Sequence, residues 1–193
     1  MAVEEEHPFH YSGLHAFGFL DGRRARPSEV VEAMRELGEP PEGPVMWAGT
    51  FVGDYAAMVH VRVEQGALGS LQGLVDGDFW DAGLRGRWAI EARPAKTAAA
   101  GSNAERKVGV KRGTGEIIAI SAMRVAPGSL DPVLTRLPDI STFRGASVVY
   151  GDADVLLQLG ADEFGDVATS VEKELQGVEG VVHTSTAFCD GRR

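Results

Sequence analysis

Residues 145–159 read GASVVYGDADVLLQL, in which two strand-like segments flank the pair Gly151-Asp152. Residues 45–63, VMWAGTFVGDYAAMVHVRV, repeat this arrangement around Gly53-Asp54. Glycine tolerates the backbone angles of a tight turn and aspartate accepts hydrogen bonds from the local backbone, so each stretch predicts a β-hairpin. The two glycines stand 98 positions apart, since 151 minus 53 is 98. The spacing predicts a duplicated fold.

Each hairpin has a strand and a helix before it and a helix and a strand after it. In the first copy the apolar patterns predict a strand at 14–20, a helix at 28–37, a helix near 68–75 and a strand at 84–92. In the second copy they predict a strand at 117–125, a helix at 130–137, a helix at 164–178 and a strand at 181–188. The order β-α-β-β-α-β is that of a ferredoxin-like α+β unit.

The predicted domain organisation is two tandem units, 9–94 and 115–190, joined by a linker at 95–114. The linker is rich in alanine, glycine and basic residues and has no apolar periodicity. A ferredoxin-like unit covers only one face of its sheet with helices. The second hairpin strand is apolar on both faces through Val155, Leu156 and Leu157. We therefore expect the two sheets to pack face to face as a dimeric α/β-barrel type of assembly, within one chain or against partner chains.

Composition narrows the class of protein. Of the 193 residues 44% are hydrophobic and 24% are charged, and no apolar run approaches the ~20 residues of a membrane span. The single cysteine, Cys189, excludes an internal disulfide or a multi-cysteine zinc site, and the acidic N-terminus is not a signal peptide, which favours a cytoplasmic protein. A net charge of −9 opposes binding to nucleic acid unless a local basic patch dominates, and we expect no membrane partner.

The second copy resembles the effector-binding (RAM) domain of the Lrp/AsnC regulators. The resemblance rests on Val149-Tyr150-Gly151-Asp152-Ala153-Asp154-Val155 and, after a helix, on Gly180-Val181-Val182-His183-Thr184-Ser185-Thr186. The family pattern is a Gly-x-x-Asp hairpin followed by a Gly-Val-x-x-Thr-x-Thr strand. The resemblance implies a non-enzymatic module that forms homo-oligomers, binds an amino acid or similar metabolite without a cofactor, and regulates transcription through a partner. It places the ligand at Gly151, Asp152, Asp154, Thr184 and Thr186.

Turn chemistry accounts for the aspartates and β-propensity for the threonines equally well, so the structural alternative stays open at these positions. The first copy departs from the family pattern, because Arg87-Trp88-Ala89 replaces the threonine pair. The helix-turn-helix of the regulators has no counterpart before residue 14. We therefore expect a ligand at the second copy and no sequence-specific binding to DNA.

An enzyme is the alternative function. On the strand at 57–63, His60 and Arg62 share one face, opposite Val59 and Val61, and such a pair can line the cavity of a small α/β-barrel monooxygenase or haem-binding protein. A metal site is not expected, because His7 and His10 lack a third ligand.

Overall fold

The computed structural model describes residues 14–20, 27–36, 45–52, 55, 57–63, 68–74, 76, 86–94 and 117–190. The predicted linker, the N-terminal histidines His7 and His10, and the first turn pair Gly53-Asp54 lie outside the described residues. Within the described part of the chain, no helix combines the length and the hydropathy that crossing a bilayer requires.

The order of elements matches the predicted duplication. The first repeat contains β1 (Leu14–Leu20), α1 (Pro27–Glu36), β2 (Val45–Thr50), β3 (Ala57–Val63), α2 (Leu68–Leu74) and β4 (Gly86–Pro94). The second contains β5 (Ile117–Val125), α3 (Leu130–Arg136), β6 (Phe143–Tyr150), β7 (Val155–Ala161), α4 (Phe164–Thr169) and β8 (Val181–Asp190). The predicted helix at 164–178 is shorter than expected, because the backbone changes to a π-helical turn at Ser170–Leu175.

The strands form one antiparallel sheet in the order β2-β3-β1-β4-β6-β7-β5-β8. The two repeats meet along β4 and β6, where Ile90 pairs with Tyr150 and Pro94 with Ser147. The outer strands meet as well, since Val52 and Phe188 exchange two backbone hydrogen bonds of 2.7 and 2.9 Å. Pairing at both seams closes the sheet into a barrel.

The predicted α+β barrel class is therefore confirmed, with one difference in how it is built. The two sheets face each other across the barrel, but they also share strand pairing, so that the chain forms a continuous sheet rather than two separate ones. Edge pairing satisfies backbone N–H and C=O groups that two stacked sheets would leave open.

Each repeat packs its helices on the outside of this sheet. Val31 of α1 and Leu71 of α2 join a buried cluster over the first half, and Val133 and Val167 join one over the second half. On β7, Val155 and Leu157 are fully buried in the helix-side core, whereas Leu156 is fully buried in the barrel interior. Burying one leucine side chain contributes about 1.5–3 kcal/mol, so a strand that is apolar on both faces requires cover on both faces.

Candidate functional site in the barrel mouth

The inner face of the barrel is closed at its centre by apolar side chains. Strand alternation directs every second residue inward, and on β1 it places Phe17 and Phe19 inside while Ala16 and Leu20 face the helices. The inner cluster consists of Phe17, Phe19, Phe51, Met58, Ala89, Ile118, Ile120, Val149, Ala153, Leu156 and Ala187. The packed centre leaves accessible space toward the end of the barrel.

A cavity of about 520 Å³ lies where β1 and β5 end and where β4 and β8 begin. Its apolar wall includes two aromatic side chains, Phe19 and Tyr55, whose ring centroids are 4.8 Å apart at an interplanar angle of 45°. The remaining apolar lining comes from Trp88 and from the small residues Ala89, Ala122 and Ala153. The volume falls within the usual range of small-molecule sites, ~300–1,000 Å³.

Charged side chains surround the cavity. Arg87 Nη1 lies 3.3 Å from Asp152 Oδ2, and Arg124 Nε donates a 2.9 Å hydrogen bond to the backbone oxygen of Asp152. His183 lies opposite Arg124 in the β5–β8 register and also lines the cavity. Two guanidinium groups and one carboxylate leave a local excess of positive charge on a chain whose net charge is −9. Such a cavity favours organic anions.

The Arg87–Asp152 pair contributes little to stability. The two side chains are 68% and 60% exposed, and pairs in that environment contribute between about 0 and 1 kcal/mol. Its geometric effect is larger, since it joins the start of β4 in the first repeat to the second hairpin.

Among the residues that the Lrp/AsnC resemblance places at the ligand, Asp152 lines this cavity. Asp154 follows in the same turn, but its Oδ2 accepts a 2.8 Å hydrogen bond from the backbone N–H of Val125. Gly151 packs against the neighbouring repeat, because a Cβ at this position would lie 2.8 Å from the Trp88 carbonyl oxygen.

Thr184 and Thr186 lie on the opposite face of the sheet. Thr184 pairs with Met123, which belongs to the helix-side core, and Thr186 Oγ1 is 2.8 Å from Ser121 Oγ. The structure therefore does not bring the threonine pair together with Asp152 at one cavity; the neighbouring residues His183 and Ser185 line it instead.

His60 and Arg62 share the barrel-facing side of β3, as the sequence predicts, but they lie away from the 520 Å³ cavity. His60 and His15 are both buried, their Nε2 and Nδ1 atoms are 2.8 Å apart, and Phe17 stacks on His60 at 4.5 Å. The pair lies toward the other end of β1 and β3, and neither His60 nor Arg62 lines the 520 Å³ cavity.

Sequence reasoning missed Arg87, Arg124, His183 and Tyr55. Alternation along β4, β5 and β8 could have placed Arg87, Arg124 and His183 on the inner face, whereas Tyr55 lies between β2 and β3, where no alternation applies. It could not have shown that they meet, because they come from both repeats.

No protein-family profile matches the sequence, and a search of curated proteins finds no match either. Solved structures do resemble it. The crystal structure of an anthrone oxidase-like protein is 12% identical to this chain. The match covers 93% of this chain and 92% of that protein's chain, with a TM-score of 0.59. A mutant chlorite dismutase from Candidatus Nitrospira defluvii, in complex with cyanide, is 14% identical. This match covers 93% of this chain and 91% of the dismutase chain, with a TM-score of 0.50. At these identities the likeness establishes the fold alone.

The structure of FFRP-DM1 is 23% identical, but it covers 38% of this chain and 97% of that chain, with a TM-score of 0.36. This partial likeness extends over a length close to one repeat and supports neither a tandem RAM domain nor a role in transcription. The expectation that the protein is not an enzyme is wrong, because the solved structures described above that match nearly the whole chain carry the names of enzymes. The Lrp/AsnC resemblance is correct for the fold, because its hairpin and strand signals encode the β-α-β-β-α-β unit, but such signals do not specify the chemistry.

Proposed function

We propose that this protein is a small α/β-barrel oxidase of the monooxygenase type, which binds an electron-rich aromatic compound in the 520 Å³ cavity and stabilises its anion there. The observation that carries the proposal is the meeting of Arg87, Arg124 and His183 around an aromatic wall. Enzymatic names among structures that match nearly the full chain support the class.

The cavity residues suit the reaction that the name of the anthrone oxidase-like structure indicates. Anthrone carries an acidic methylene group beside its fused rings, and loss of a proton produces an aromatic enolate. The guanidinium groups stabilise the enolate oxygen, and the imidazole of His183 accepts the proton. Molecular oxygen then supplies one atom to a new carbonyl group, while its other atom leaves as water with the two hydrogens of the methylene carbon. The balance needs no external reductant.

Haem does not fit the described residues at this cavity. A haem needs an axial ligand that reaches its iron, usually histidine. His183 is the histidine of the cavity lining, and it is exposed and opposite Arg124. The buried pair His15 and His60 lies outside the lining, and the two rings bond to each other. No step of the proposed reaction passes through haem.

The test is oxygen uptake in the presence of anthrone. An oxygen electrode measures the uptake, and absorbance measures the quinone product. Arg124→Gln removes the charge but keeps much of the side chain, and its kcat/KM should fall about ten- to a hundredfold. Arg136→Gln is the matched control, because Arg136 is 73% exposed and pairs with Asp139 on the surface of the second repeat. Absence of oxygen uptake by the wild type, or equal rates for both variants, contradicts the proposal.

A ligand-sensing module is the second candidate, and Asp152 at the cavity favours it because a carboxylate there can bind the ammonium group of an amino acid. Calorimetry across the amino acids distinguishes the two functions. Binding lost on Asp152→Asn, together with no oxygen uptake, supports the sensor. The expected homo-oligomer is part of this proposal, and sedimentation tests it. Since the chain covers both inner sheet faces itself, such an oligomer is not needed to complete the barrel.

A further inference from the structure

The strand registers identify which residues of the two repeats are equivalent. Ala57 begins β3 and pairs with Leu20, while Val155 begins β7 and pairs with Met123. Phe19 and Ala122 each precede those partners, so they occupy the same position in the two halves of the barrel. Likewise Leu20 pairs with Gly86, and Met123 pairs with Thr184. The next residues, Arg87 and Ser185, are therefore equivalent.

The hairpins provide a third equivalent pair, Tyr55 and Ala153, at the same 98-residue offset as the turn glycines. All three pairs line the cavity, and in each pair the first repeat has the larger side chain: Phe19 against Ala122, Tyr55 against Ala153, and Arg87 against Ser185. In these three pairs, the larger side chains all come from the first repeat.

This asymmetry explains why the cavity exists. Phe19 is 6% exposed and its ring packs against that of Tyr55, so the two rings form a continuous aromatic surface. The methyl groups of Ala122 and Ala153 opposite leave the space that a second aromatic pair would occupy. If both halves of the barrel carried the first repeat's residues at these positions, their side chains would fill the cavity. If both halves carried the second repeat's residues, these positions would provide no aromatic surface.

The cationic groups show a different distribution. Arg87 comes from the first repeat, while Arg124 and His183 come from the second. Arg124 binds the backbone of Asp152 through Nε, a bond that does not use its two Nη groups. A flat molecule against the aromatic wall can therefore place an anionic oxygen near a guanidinium.

We infer that the two repeats have divided the binding work, so that Ala122 and Ala153 determine the size of the ligand, Phe19 and Tyr55 select a planar aromatic ring, and the guanidinium groups of the cavity bind its anionic oxygen. This inference rests on the proposed function, because both concern the same cavity, and it names the substrate class. It needs no oxidation step, because it concerns binding alone.

Calorimetry with three probes of similar size tests the ligand class. Naphthoate is planar and anionic, naphthamide is planar and neutral, and decalin carboxylate is anionic but saturated. Naphthoate should bind about tenfold more tightly than either of the others, since each lacks one of the two features that the cavity recognises. Equal affinity for the three probes, or no binding of naphthoate, overturns the inference.

Variants that copy the first repeat into the second test the division of work. Ala122→Phe and Ala153→Tyr should each lower naphthoate affinity about tenfold or more by filling the space. Thr186→Val is the control, because Thr186 pairs with Ser121, the neighbour of Ala122, but lies on the helix side of the sheet and outside the cavity lining. Circular dichroism checks folding, and the milder Ala122→Val and Ala153→Val variants replace any larger substitution that does not fold. They should show a smaller loss in the same direction. Unchanged affinity in the folded variants refutes the division.

The outcomes separate the two proposals. Naphthoate binding that Ala122→Phe abolishes, without oxygen uptake from anthrone, supports the division of work and refutes the oxidase. Oxygen uptake that Arg124→Gln abolishes but that the alanine replacements leave unchanged supports the oxidase and refutes the division.

Discussion

Gly151→Ala should be among the most destabilising single substitutions near the cavity. Gly151 has a φ of +154°, a region that side chains rarely adopt and whose occupation costs about 1–3 kcal/mol. The added Cβ would also lie 2.8 Å from the Trp88 carbonyl oxygen and 3.2 Å from Ala89 Cα, both of them backbone atoms of the other repeat. Since a backbone cannot rotate away as a side chain can, the contact adds about 1–2 kcal/mol of overpacking. The total is about 2–5 kcal/mol.

Urea unfolding followed by circular dichroism measures this cost, and the chain provides a matched control. Gly128 has a φ of +81°, but a Cβ there would meet nothing within 4 Å, so Gly128→Ala reports backbone strain alone, about 1–2 kcal/mol. A cost of Gly151→Ala above about 3 kcal/mol, the upper limit of backbone strain alone, reports the contact at the β4–β6 seam. If Gly151→Ala is no more destabilising than Gly128→Ala, with equal m-values, the close approach of the two repeats at Trp88 is wrong.

Three further predictions test the remaining assignments. Thr186→Val should cost about 1–2 kcal/mol in a urea titration, because it removes the partner of the fully buried Ser121 hydroxyl; a loss of naphthoate affinity would show that this threonine does reach the ligand. Asp154→Ala should cost about 1 kcal/mol through the lost hydrogen bond from Val125 N–H, and Asp154→Asn, which keeps an acceptor oxygen, should cost less; equal costs would argue against that bond. His60→Leu should cost about 1–3 kcal/mol, because the buried His15 Nδ1 loses this partner, whereas the exposed His183→Leu should change the melting temperature little. Equal melting shifts for these two histidine variants would contradict the buried pair.

The sequence by itself determined the repeated unit. Gly151-Asp152 and the apolar segments around it predicted the hairpin, and the run Val155-Leu156-Leu157 predicted a strand buried on both faces. These predictions succeeded because turn chemistry and side-chain alternation are local properties, set by residues a few positions apart. The same alternation predicted that His60 and Arg62 face away from Val59 and Val61.

The cavity was decided only by the tertiary structure. Arg87 and Asp152 are neighbours because β4 pairs with β6, and no local pattern states which edges of two repeats will join. Thr184 and Thr186 show the converse, since the sequence showed that they share a face, but only the position of the helices revealed that this face is turned away from the cavity. The difference between Ala122 and Phe19 likewise acquired meaning only when strand pairing placed them at equivalent positions around one barrel. Pairing between distant strands depends on the burial of the whole sheet, which is a property of the complete chain and not of any segment.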